Sequence, residues 1–72
     1  MYTSKITVYQ YGKPAKGIKV SLEFWSGFSK HFYTNDKGIA FVKHSSKGKA
    51  TIYIKGNRKG EFTAPGEDYI YL

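Results

Sequence analysis

Residues 34–41 read TNDKGIAF, a polar turn with a glycine directly ahead of an apolar run. Asn35 and Asp36 carry short side chains that hydrogen-bond the backbone a residue or two ahead, and Gly38 takes a left-handed conformation without steric cost. The same residue types stock ligand-binding loops. The flanking segments decide between the two readings: Lys30–Thr34 and Ile39–His44 both have strand character, so the stretch is expected to reverse the chain between them. In that reading Phe32, Thr34, Ile39 and Phe41 turn inward, with Phe41 as the anchor.

Outward from this turn, apolar periodicity of two dominates, and no window shows the three-and-four spacing of an amphipathic helix. Ile18–Trp25 gives the cleanest alternation, with Ile18, Val20, Leu22 and Phe24 on one face and Lys19, Ser21, Glu23 and Trp25 on the other. Tyr2–Tyr11 places Ile6 and Val8 inward. Lys49–Lys55 does the same for Ala50, Ile52 and Ile54, and Glu61–Thr63 and Tyr69–Leu72 close the chain. Glycine and small polar clusters at 12–17, 26–29, 35–38, 45–48, 56–60 and 64–68 separate these runs. About seven short antiparallel strands at this spacing make an all-β domain, a small β-sandwich or a partly closed barrel.

Seventy-two residues make one domain over 1–72 with a thin core. No cysteine is present to staple it. The longest apolar runs fall far short of the ~20 residues of a membrane-crossing helix. The opening MYTSKITVYQ lacks the unbroken apolar run of a secretion signal, so the expected location is the cytoplasm.

The order of motifs resembles that of prealbumin-like modules related to the carboxypeptidase regulatory domain. ITVYQYGKPAKGIKVSLEF is similar to their strand, G-x-P-x-x-G-type turn and second alternating strand. TNDKGIAF is similar to their T-D-x-x-G-x-x-F turn, with Thr34, Gly38 and Phe41 matching and Asn35 in the place of Asp. GKATIYIKG falls where the family has a G-x-y-x-v-x-v strand. The resemblance covers roughly residues 5–56. It implies a β-sandwich that serves as a structural, adhesive or interaction module, with no shared catalytic residues.

The residues able to carry chemistry are consistent with that implication. His31 and His44 lie in separate segments with no carboxylate near them in sequence, which argues against a metal or catalytic site. Ser45, Ser46 and Lys47 suggest an anion-binding turn. KHSSKGKAT nevertheless lacks the first glycine and the following helix of a phosphate loop. No cofactor is expected.

Charge and aromatic content carry more information. Twelve Lys and Arg against five Asp and Glu give a net charge of +7, which attracts polyanions. Tyr9, Trp25 and Tyr53 are expected on outward faces beside Lys19, Lys49 and Lys55, with Lys30, Lys43, Arg58 and Lys59 near strand ends. Trp25 opens an unusually aromatic stretch, WSGFSKHFY, that adds Phe28, His31 and Tyr33. These residues form the candidate contact surface, and the expected partner is a protein. Single-stranded nucleic acid is the alternative, since bases stack on aromatic rings while cations neutralise phosphates. Sugar binding through Trp25 and the tyrosines ranks third. EDYIYL at the C-terminal end is apolar enough to pair as an edge strand with another copy.

Overall fold

Alternating strands bury one face each, and two layers are the smallest arrangement that satisfies all of them. A computed structural model describes all residues, Met1–Leu72. It contains nine strand segments: β1 (Tyr2–Gln10), β2 (Lys13–Pro14), β3 (Lys19–Phe24), β4 (Gly27–Phe28), β5 (Phe32–Tyr33), β6 (Ile39–His44), β7 (Gly48–Ile54), β8 (Asn57–Ala64) and β9 (Glu67–Tyr71). The first sheet has β1 at its centre, paired with β2, β6 and β9. The second runs β4, β3, β7, β8, with β5 also on β3. The two sheets pack face to face as a sandwich and do not close into a barrel.

Ile6, Val8, Ala40, Val42 and Ile70 from the first sheet meet Val20, Leu22, Phe24, Ala50, Ile52, Ile54 and Ala64 from the second, all buried. A chain of this length buries a smaller fraction of its surface than a larger domain does, so a core of 14 residues leaves a narrow margin.

Four expectations are corrected. The extra strands β2, β4 and the start of β8 fall in segments read as turns. They are hairpin arms: Tyr11 and Gly12 (φ 56° and 76°) and Lys55 and Gly56 (φ 54° and 84°) form two-residue turns with both residues left-handed, which suits the strand twist. The pairing is not all antiparallel, because β9 lies parallel to β1, with Lys5 opposite Glu67 and Tyr9 opposite Tyr71. This uses one edge of EDYIYL within the chain.

The third correction concerns β6. Ile39 and Phe41, expected inward, face out: Phe41 is 51% exposed, whereas Ala40, Val42 and His44 are buried. Lys43 shares a face with Ile39 and Phe41, and turning that face inward would bury an unpaired ammonium. The register agrees, since Ile6 of β1 stands opposite Ala40 and Lys5 opposite Phe41.

TNDKGIAF itself is not a reversal within one sheet. β5 belongs to the second sheet and β6 to the first, so the stretch carries the chain across the sandwich. Asn35 holds the bend, its side-chain oxygen accepting from the Lys37 and Ile39 amides at 2.9 and 3.1 Å. Gly38 (φ 76°) is packed against β1, and its carbonyl accepts from the Val8 amide at 2.7 Å. A Cβ at Gly38 would stand 2.7 Å from the Val8 carbonyl oxygen and 3.0 Å from the Ala15 nitrogen. Gly12 has a similar φ but nothing within 4 Å. Gly38→Ala is therefore expected to cost about 2–4 kcal/mol in urea unfolding and Gly12→Ala about 1 kcal/mol. Equal losses at the two sites would show that the close approach to β1 is unimportant.

Candidate contact surface

The residues facing away from the core on the second sheet are set by cross-strand register. Tyr33 stands opposite Lys19, Phe28 opposite Glu23, Tyr53 between Ser21 and Arg58, Thr51 between Glu23 and Glu61, and Lys49 opposite Thr63. Lys55, in the β7–β8 turn, donates its amide to the Lys19 carbonyl at 3.0 Å. Of the sequence-derived candidates, Phe28, Tyr33, Tyr53, Lys19, Lys49, Lys55 and Arg58 thus share one face. Phe28 and Tyr33 are 60% and 63% exposed. Phe28 meets Tyr53 edge to face with ring centroids 5.2 Å apart, so the face has a fixed aromatic ridge.

Both carboxylates of this face are engaged, while several of its cations are not. Glu61 holds both Arg58 (2.8 Å) and Lys49 (3.4 Å). Glu23 accepts a hydrogen bond from the Tyr53 hydroxyl at 3.0 Å. Lys19, Lys55 and Lys59 have no carboxylate partner, since the remaining ion pair joins Lys16 to Asp36. The hydrogen bond to Glu23 and the charge of that carboxylate raise the Tyr53 hydroxyl above its ordinary pKa. Lys49 foremost, then Arg58, holds the Glu61 carboxyl below its usual range.

The other candidates do not join the ridge. Trp25, fully exposed, occupies the turn between β3 and β4. His31 is exposed in the loop before β5, and Lys59 is exposed beside the irregularity that β8 introduces opposite Ile52 and Tyr53. Tyr9 faces out from the opposite sheet, stacked on Tyr71 at 5.3 Å. There it belongs with Ile39, Phe41 and Tyr69, a second partly apolar face that the inward assignment of Phe41 concealed. Glu67 beside Tyr69 raises that hydroxyl's pKa.

One further constellation escaped the sequence. His44 Nε2 lies 2.7 Å from Ser4 Oγ and its Nδ1 lies 2.6 Å from the Ser46 carbonyl. The carbonyl accepts only, so Nδ1 carries the proton and Nε2 accepts from the Ser4 hydroxyl. A serine held by a histidine that a third group orients has the outline of a nucleophile and its base. Ser4, however, is fully buried, and its oxygen also receives the Gly66 amide at 3.3 Å. The arrangement pins β1, β6 and the corner before β9 together, and no buried side-chain polar atom is left unpaired. No group of three His, Cys, Asp or Glu side chains is placed to hold a metal. No helix is long and apolar enough to cross a membrane.

Two outcomes follow. Ser4→Ala strands His44 Nε2 and removes the acceptor of the Gly66 amide, and is expected to cost about 1–3 kcal/mol in urea unfolding; a neutral result would mean that the pin contributes nothing. A Glu61 carboxyl depressed on folding contributes stability above the ordinary carboxylate range and loses it as pH falls through its own lower value. Its side-chain NMR titration should therefore sit below that of a model glutamate and move back towards it in Lys49→Met.

The chain matches no protein-family model, and no curated protein is significantly similar to it in sequence.

Proposed function

We propose that the chain is a non-enzymatic binding module of the prealbumin-like type, docking a protein partner through the outer face of its second sheet. The observation that carries this reading is the gathering of Phe28, Tyr33 and Tyr53 with Lys19, Lys55 and Arg58 on that face. An exposed aromatic ridge supplies apolar contact area, and unpaired lysines at its margin select a partner with acidic groups at its rim. The prealbumin-like character rests on the motif order together with the two-sheet architecture.

Single-stranded nucleic acid is the second reading, favoured by the same alternation of rings and cations. Labelled single-stranded DNA, titrated over a salt series, separates the two. The protein reading expects binding weaker than about 10 μM at physiological salt, because counterion release alone supplies the affinity. Tighter binding that is lost in a Tyr33→Ala, Tyr53→Ala double variant would transfer the face to nucleic acid. A photocrosslinking residue at Tyr33 should give nuclease-resistant protein adducts in cells, which Lys19→Glu with Lys55→Glu abolishes. Equal adducts from a crosslinker at Thr3, on the opposite sheet, would refute the assignment of this face.

A further inference from the structure

Two stretches that stand out in the sequence, WSGFSKHFY and the serine turn of KHSSKG, are remote in the chain yet face each other in the fold. β3 and β6 each run from the Thr34 crossover towards the same end of the sandwich. There the loop from Phe24 to Phe32 in the second sheet and residues 43–46 of the first form opposite walls of an open cleft of about 490 Å3. The Ser26 and Ser46 hydroxyls bond across it at 2.9 Å. Its volume lies in the ~300–1,000 Å3 range of small-molecule sites.

The lining has two chemical parts. Phe24, Phe28 and Phe32 supply aromatic surface, with Phe24 packed on the His44 ring at 5.0 Å. Lys30 on one wall and Lys43, whose side chain leaves the outer face of β6 at the rim of the other, supply charge, and no Asp or Glu lines the cleft. Neither lysine is in an ion pair. Two unpaired cations beside one concavity raise the local potential and concentrate small anions there. Ser45, also in the lining, makes no side-chain hydrogen bond within the chain, so its hydroxyl is free to donate. The ring nitrogens of His44 are both engaged within the chain, so it contributes a wall.

We infer that this cleft is a binding site for a small organic anion, a phosphate or carboxylate group carried on an aromatic or apolar body. The anionic group is held by Lys30, Lys43 and the Ser45 hydroxyl, and the body rests on the phenylalanines. The site is separate from the ridge around Tyr33 and Tyr53, and only Phe28 belongs to both. It does not depend on that ridge having a protein partner.

Phenyl phosphate, phenol and inorganic phosphate are the probes, titrated into the full chain and followed by backbone amide NMR. Trp25, the single tryptophan, adjoins the cleft and gives a parallel fluorescence readout. Phenyl phosphate should move the resonances of residues 24–32 and 43–46 and saturate with a Kd of about 1 mM or tighter, the other two binding about tenfold or more weakly. Lys30→Gln with Lys43→Gln should weaken phenyl phosphate about tenfold, and Lys19→Gln with Lys55→Gln should leave it unchanged. Phenol binding as well as phenyl phosphate would overturn the proposal. So would shifts centred on Lys19 and Lys55, or no saturation by about 10 mM. Both cleft lysines are exposed, and the ranking of the three probes on the unmodified chain decides the matter without any variant.

Discussion

Thr34 is the point on which the sandwich closes. Its hydroxyl donates to the Ala15 carbonyl and accepts from the Ile18 amide at 2.8 Å, while its own amide donates to the Ile18 carbonyl and its carbonyl accepts from Gly17. Residues 15–18 carry the chain from the first sheet to the second, and residues 34–38 carry it back. A crossing segment leaves its ladder and exposes backbone polar groups that must be paired elsewhere. Here the two crossings pair with each other, and the side chain at their junction is only 5% exposed. A serine would supply the hydroxyl without the methyl group, and a valine would fill the space but strand both partners. The GKPAKG turn and the TNDKG turn are therefore one structural device in two pieces of sequence.

That device also explains how a short chain without disulfides keeps two sheets in register. The chain changes sheet four times, after β2, β5, β6 and β8. The first two changes share the Thr34 bonds, the third passes beside the His44 to Ser46 bond, and the fourth ends at Gly66, whose amide reaches Ser4. Buried hydrogen bonds of this kind contribute only about 1 kcal/mol each net, yet leaving one unmade costs more than making it returns. They act less as glue than as a penalty on every misregistered pairing. The apolar core supplies the driving force, and the polar pins select the arrangement.

This division of labour sets how much could be read from the chain beforehand. Strands with unambiguous alternation, Ile18–Trp25 and Lys49–Lys55, showed their inward residues plainly, because charged side chains mark the wet face. IAFVKH did not, since both of its faces contain large apolar groups, and bulk pointed to Phe41. The position of Lys43 held the answer, as a lysine drags its whole face to solvent. Short hairpin arms such as Lys13–Pro14 carry no periodicity at all, and only the left-handed pair Tyr11 and Gly12 builds them. The parallel β1–β9 pairing has no local signature either. Of the candidate surface, residues on well-marked strands came together as alternation implied. Tyr9 separated from them because alternation says which face of its own strand a residue occupies and nothing about which sheet that strand joins. The Ser4 and His44 pair was hidden for the same reason.

The two ends of the seam between β3 and β6 are built differently. β3 spans from Lys19 to Phe24, about 16 Å at the usual strand rise. At the Lys19 end the seam is stitched by the Thr34 bonds and by Gly38 against β1. At the Phe24 end, beside the crossing from β6 to β7, the walls are joined by a solvent-exposed serine pair and by one aromatic contact. Exposed hydrogen bonds compete with water and resist opening weakly, so the serine pair adds little to hold the seam. Phe28 stands at the boundary, lining the cleft while its ring edge meets Tyr53 on the outer ridge. Any shift of the β3–β4 turn must move that contact, so the cleft and the outer ridge are joined through one ring.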